Sequence, residues 1–255
     1  GIHTFFNHYV SSLKEILEKD YDAVFVGTGA PRGKDLPKLP GRWETKDNIH
    51  IGINWLASVA FEHTTKIGKR VLVIGGGNTA MDCCRTARRL GGEDVRVVVR
   101  SPFAEMKASP WEKEDAMHED IPIIDNHTPK AFIVENGKLK GMTFEKVQAV
   151  YDENGKRRLV PTGEPDVFFE ADDIILAIGQ ENAFPWIERD IGIEFDEWEM
   201  PVIDKVTFQS THPKVFFGGD AAFGPANIIP AVAHGHQAAV SIHRLCQGED
   251  VHKRL

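Results

Sequence analysis

The stretch Val71-Leu72-Val73-Ile74-Gly75-Gly76-Gly77-Asn78-Thr79-Ala80-Met81-Asp82 constrains this chain more than any other. Four apolar residues able to form a buried strand run straight into Gly-x-Gly-x-x-Ala, and a helix-forming segment follows. A strand, a turn stripped of side chains and a helix, in that order, make a dinucleotide-binding elbow. Gly75 permits the tight turn, with Gly76 beside it. Gly77 lets the backbone approach a pyrophosphate, and Ala80 is small enough for the helix to lie close on the strand. Asn78 and Thr79 begin that helix, whose free N–H groups and dipole favour a phosphate. The bland alternative is a bare structural turn.

Strands and helices alternate around this elbow, which implies an α/β architecture with parallel sheets. Ser11 to Asp20 carries the Leu13, Ile16, Leu17 stripe of a surface helix, with Ser11 or Ser12 as N-cap. Asp22 to Gly27 reads as a buried strand, residues 31–48 as a loop or linker, and Ile51 to Phe61 as a helix. Gly91-Gly92 stop the elbow helix, and Val95 to Val99 is the second strand. Ser109-Pro110-Trp111-Glu112 spells a capping box opening a helix to about Glu119, and Ile121 to Ile124 is a third strand. Asn136-Gly137 and Asn154-Gly155 mark two hairpins with tight turns. Asp173 to Ile178 and Val215 to Phe217 are further buried strands, and the last helix runs from near Asn227 to about Cys246.

Composition removes several function classes. A net charge of −8 argues against a general binder of nucleic acid or anionic membranes. No apolar run has transmembrane length. Three cysteines, with Cys83 and Cys84 adjacent, supply no disulfide framework and no CxxC, which fits a reducing, cytoplasmic setting. Eleven histidines suggest a metal, but His234 and His236 stand two apart on a helix and share no face, so no metal site is expected. Lys156-Arg157-Arg158 reads as a solvated hairpin turn.

Four further segments, Asp22 to Ala30, Glu105-Met106, Ala177-Ile178-Gly179-Gln180 and Phe217-Gly218-Gly219-Asp220-Ala221, flank Gly75 to Gly91 in a fixed order. Together they resemble the two-dinucleotide-binding-domain flavoproteins, most closely the NADPH-dependent glutamate synthase small (beta) subunit family. The resemblance implies a Rossmann-like NAD(P)-binding domain, a central parallel sheet plus β-meander, inserted in a partial FAD-binding α/β domain. It divides the chain at 1–68 (end of the first FAD half plus linker), 69–180 (NAD(P)H domain) and 181–255 (returning FAD half). The family's opening strand with its own GxGxxG has no counterpart before Ser11, and the opening Gly1-Ile2-His3-Thr4 suggests a trimmed chain. The expectation is the C-terminal part of a larger flavoenzyme, holding FAD weakly or not at all by these residues alone.

Site roles follow from the same resemblance. The second strand ends in Arg100-Ser101, a cation and a hydroxyl suited to a 2′-phosphate where NAD enzymes place a carboxylate. A solvated strand-end arginine is the alternative, and Ser101 and Lys107 both depart from the family's spelling. Gly179 and Gln180 close the nicotinamide domain beside the nicotinamide–flavin junction, or form a plain turn. Thr28, Gly29 and Ala30 would lie near the adenosine side of FAD. Gly219 and Asp220 would meet the ribityl or pyrophosphate region, and Asn227 and Ile228 would aim N–H donors at the flavin pyrimidine edge. The implied reaction is hydride transfer from NADPH to FAD, with electrons passed to an iron–sulfur or flavin partner and no catalytic side chain. The contrasting reading is a non-catalytic nucleotide-binding subunit complemented by a separate FAD-binding chain.

Overall fold

The structure, a computed structural model, describes residues 1–253. The chain opens with α1 (Leu13–Leu17), β1 (Val24–Val26) and β2 (Arg32–Gly33). There follow β3 (Ile49–Ile51), α2 (Gly52–Ala60), β4 (Arg70–Ile74), α3 (Asn78–Arg89), β5 (Asp94–Val98), α4 (Pro110–His118) and β6 (Ile123–Ile124). A run of strands comes next: β7 (His127–Glu135), β8 (Lys138–Tyr151), β9 (Arg157–Pro161), β10 (Val167–Glu170), β11 (Asp173–Leu176) and β12 (Gln180–Glu181). Then β13 (Val215–Phe217), α5 (Asp220–Phe223) and α6 (Ile228–Cys246) complete the described elements.

Two compact units share the chain: Gly33–Gly179 is one, and Gly1–Arg32 with Gln180–Leu255 is the other. The first is inserted into the second. The boundary expected at residue 68 moves to Gly33, because β3 pairs in parallel with β11 and α2 buries Trp55 in the inserted unit's core. Residues 33–68 therefore belong to the inserted unit rather than to the N-terminal segment.

The inserted unit is built on a five-stranded sheet in the order β3-β11-β4-β5-β6, and each of these pairings is parallel. Strand alternation sorts its side chains onto two faces. Val71 and Val73 point to a layer containing Trp55, Met81, Cys84, Ala87 and Ala116, from α2, α3 and α4. Leu72 and Ile74 point to Phe132, Met142 and Phe144 of β7 and β8. Covered on both sides, β11 is buried at every position, as a central parallel strand must be.

The antiparallel strands obey the turn signals in two different ways. Asn136 (φ 52°) and Gly137 (φ 71°) form a two-residue turn between β7 and β8 with both residues left-handed. Asn154-Gly155 does not repeat it. Asp152 N–H donates to Lys156 O (3.1 Å), leaving a three-residue loop with only Gly155 left-handed, and Asp152 Oδ1 accepts from the Asn154 and Lys156 amides. The aspartate side chain thus selects the longer turn.

The other unit holds a two-stranded parallel sheet, β1 with β13, in the register Val24↔Val215 to Val26↔Phe217. Its core gathers Leu13, Val26, Phe184, Ile187, Val215 and Phe217. The α1 helix is capped by Ser12, whose hydroxyl accepts from Glu15 N–H at 3.1 Å. Strand β1 is shorter than expected and not wholly buried: Phe25 is 41 % exposed. Its ring lies along the space beside Gly27 and Gly218, where added Cβ atoms would sit 3.0 and 2.7 Å from it.

Candidate functional site

At the elbow, β4 ends at Ile74 and α3 begins at Asn78 with Gly77 as its cap. The three glycines do different work. Gly75 has φ +145°, and a Cβ there would stand 2.1 Å from Ala177 O, so it lets the turn press against the end of β11. A Cβ on Gly76 would meet Val99 Cγ2 at 2.6 Å, a packing constraint against the end of β5. A Cβ on Gly77 would meet nothing within 4 Å. The space above Gly77 is open, and only there is the missing side chain free to serve a ligand.

Around that opening the N–H groups of Gly76, Gly77, Asn78 and Thr79 have no acceptor among the described residues. Unfilled donors at the start of a twelve-residue helix are chemically suited to an anion. Ala80 is fully buried against the strand, as the close helix approach requires. Asn78 adds a lock that spacing alone did not reveal. Its Oδ1 accepts from Ser109 N–H (2.8 Å), its Nδ2 donates to Ser109 Oγ (3.4 Å), and Ala108 N–H donates to Gly76 O (2.9 Å). Ser109 is accordingly not the expected capping box, since its hydroxyl makes no cap hydrogen bond to α4.

Arg100 leaves the end of β5 exposed and without a partner among the described residues, and Lys107 is in the same state. Ser101 is half-buried, its carbonyl accepting from Asn126 N–H at 3.5 Å. The expected solvated turn at 156–158 needs correction at its centre: Arg157 Nη1 binds Glu105 Oε2 at 2.5 Å, and the Tyr151 hydroxyl donates to Glu105 Oε1. Gly179, left-handed at φ +113°, accepts Lys34 N–H on its carbonyl (3.0 Å), and Gln180 begins β12.

Burial and neighbouring charge act differently on the elbow's titratable groups. Burial pushes the Cys84 thiol up to about 12 and the Cys83 thiol higher still, so both behave as inert apolar side chains. Asp82 is raised by burial and by the Glu112 charge, with Arg85 opposing. Arg85 itself is held protonated by Glu119, which it binds at 2.8 Å.

In the other unit, the parallel register of β1 and β13 makes Gly27 to Ala30 and Gly218 to Asp220 leave neighbouring strand ends. Gly29 (φ +72°) opens onto empty space, Thr28 precedes it exposed, and Ala30 is buried. Gly219 (φ +60°) caps the short helix α5, and Asp220 Oδ1 accepts from Ala226 N–H (3.1 Å), shaping the approach to α6. Asn227 caps α6 without a side-chain hydrogen bond, and Ile228 is 80 % exposed. His234 was not singled out as a site residue, yet its Nδ1 accepts from Gly219 N–H (3.2 Å) while its ring packs on Phe223. That contact fastens α6 to the glycine turn.

A family model described as pyridine nucleotide-disulphide oxidoreductase matches residues 7–235. The chain belongs to this family. Among relatives, the beta subunit of the NADP(+)-dependent formate dehydrogenase of Moorella thermoacetica is 35 % identical over 228 residues, covering 89 % of this chain and 32 % of that protein. The glutamate synthase [NADPH] small chain of Halomonas elongata is 34 % identical over 242 residues, covering 89 % of this chain and 50 % of that one. The chain thus spans 32 % to 50 % of the length of these curated relatives. Mycobacterium tuberculosis FprA in complex with NADPH shares the fold at a TM-score of 0.74 and 16 % identity, over 92 % of this chain and 66 % of that one. The pyridine nucleotide-disulphide oxidoreductase fold accounts for both the parallel sheet and the meander. Among the described residues no helix is long and apolar enough to cross a membrane, and no group of three or more His, Cys, Asp or Glu side chains is placed to hold a metal ion.

Proposed function

We propose that the Gly33–Gly179 unit binds NADP(H) at the β4–α3 elbow, within an oxidoreductase that reduces FAD and passes electrons to an iron–sulfur or flavin partner. The open space over Gly77, beside N–H donors unpaired among the described residues, carries this reading. Those donors would hold the pyrophosphate, and Arg100 with Ser101 would hold the 2′-phosphate. In the other unit, Thr28, Gly29, Ala30, Gly219, Asp220, Asn227 and Ile228 would hold parts of FAD; the left-handed turn at Gly29 and the start of α6, where Asn227 makes no side-chain cap bond, are compatible with it. When bound, the two cofactors supply the redox chemistry, a hydride passing from nicotinamide C4 to flavin N5. The chain's residues bind and orient them, with no nucleophile or general base assigned. Relatives named as beta subunits and small chains support a partner chain.

Titration of the 255-residue chain with NADPH tests the proposal. Gly77→Val should raise the NADPH Kd by about 30-fold or more, roughly 2 kcal/mol, while costing no more than about 1 kcal/mol of stability as a helix-cap change. Arg100→Ala should weaken NADPH by about fivefold and leave NADH unchanged. A folded Gly77→Val variant with wild-type affinity places the nucleotide elsewhere.

A further inference from the structure

We propose that Arg157 and Tyr151, at the tip of the β8–β9 hairpin, are positioning residues for 2′-phosphate recognition, acting by neutralising Glu105. The inference rests on the NADP(H) reading of the elbow. The loop from Arg100 to Ala108 leaves β5 and returns to the elbow, where Ala108 N–H meets Gly76 O and Ser109 N–H meets Asn78 Oδ1. It carries two cations without partners among the described residues, Arg100 and Lys107, and a single carboxylate, Glu105. That carboxylate is occupied from outside the loop. Arg157 binds one oxygen at 2.5 Å, with both side chains about two-thirds buried, and Tyr151 donates to the other. Asp125 also meets the loop, accepting from Phe103 N–H at 2.8 Å.

Consider the loop with Glu105 released. A carboxylate tethered five residues from Arg100 and two from Lys107 competes for them at high effective concentration, and it repels an incoming phosphate dianion. Nucleotides lacking the 2′-phosphate feel neither effect. Partly exposed ion pairs contribute little to folding, so the value of this one lies in where it leaves the charges. The hairpin thereby sets nucleotide preference from outside the Rossmann layers.

The test measures Kd for NADPH and for NADH with the full chain. Arg157→Ala should weaken NADPH about fivefold and NADH less than twofold, and Arg157→Lys should recover most of the loss. Adding Glu105→Gln to Arg157→Ala should return NADPH affinity to within about twofold of wild type, since no charge remains to compete. The Arg157→Ala effect should also shrink in high salt. A purely structural role for the hairpin predicts equal losses for both nucleotides and no rescue by Glu105→Gln. Equal losses, no loss, or absent rescue would each overturn the inference while leaving the elbow reading intact. A wild-type chain that binds neither nucleotide overturns the elbow reading, and this inference with it.

Discussion

In the Gly33–Gly179 unit, β4 lies third in a five-stranded sheet with apolar layers on both faces. In the other unit, β1 and β13 pair with each other, Gln209 adds a single bridge to Phe216, and Phe25 stands exposed. Glycine turns follow β4 in one unit and β1 and β13 in the other, yet the support behind those turns differs. At the elbow, Gly75 and Gly76 are pinned by β11 and β5, so the sheet itself fixes where the N–H donors of α3 point. At the Gly218-Gly219 turn, Gly218 N–H reaches Val26 O of β1 at 3.2 Å, and Gly219 itself is held by its bond to His234 and the packing of α6. A site pre-organised by its sheet needs few long-range contacts; a site assembled from distant segments needs each of them.

The strongest way to break this contrast is at Gly75. An alanine there must accept φ near +145° and a Cβ 2.1 Å from Ala177 O, a contact between two backbones that no rotamer relieves. Gly75→Ala should cost about 3 kcal/mol or more of stability, whereas Gly77→Ala should cost less than about 1 kcal/mol, a helix-cap change in open space. Chemical denaturation of both variants distinguishes the glycine pinned by the sheet from the one in open space. Equal costs would show that the sheet does not define the elbow.

A second test compares the two sheets directly by hydrogen exchange. Amides of β4 and β11, buried under two apolar layers, should outlast those of β1 and β13 by about 100-fold. The expectation follows from the number of partners each strand has, two for β4 and β11 and one main partner for β1. Similar protection in both sheets would mean that the aromatic packing of Phe184, Phe195 and Phe217 compensates for the shorter ladder.

The same contrast explains what the sequence disclosed. The elbow was legible because strand, turn and helix are contiguous: Val71 to Asp82 carries its whole geometry within twelve positions. The buried strands at 95–99, 173–178 and 215–217 and the Asn136-Gly137 turn were equally local signals. Strand β3 was hidden because Ile49–Ile51 merges into the apolar run of α2, and only its pairing with β11 identifies it as a strand. The capping-box spelling at Ser109 misled because Asn78, 31 residues upstream, claims both the serine amide and its hydroxyl. Arg157 looked like turn decoration because Glu105 lies 52 residues away. Pairings across such distances leave no periodicity to read.

The smallest expected effect concerns how the inserted unit ties its strand starts together. Arg70 at the head of β4 binds Asp172, just before β11, through Nη2 (2.6 Å) and Nε (3.3 Å), and its backbone N–H adds a third bond (2.9 Å). These contacts hold the Asp172 carboxyl below the usual carboxylate range. A folded pKa below the unfolded one means that this stabilisation is fully present above the unfolded value, about 3.9, and is lost as pH falls through the folded value. The side chains are 41 % and 35 % exposed, so the contribution of the Asp172 carboxylate is discounted to about 1 kcal/mol at neutral pH. Its counterpart in the other unit is local: Asp204 Oδ1 accepts from Val206 and Thr207 N–H within a single turn. Asp172→Asn should therefore lower stability at pH 7 by about 1 kcal/mol, with the deficit closing below about pH 4. Denaturant unfolding of wild type and variant across pH 3–7 reads both signs, and a deficit that persists undiminished in acid would locate the loss in packing rather than charge.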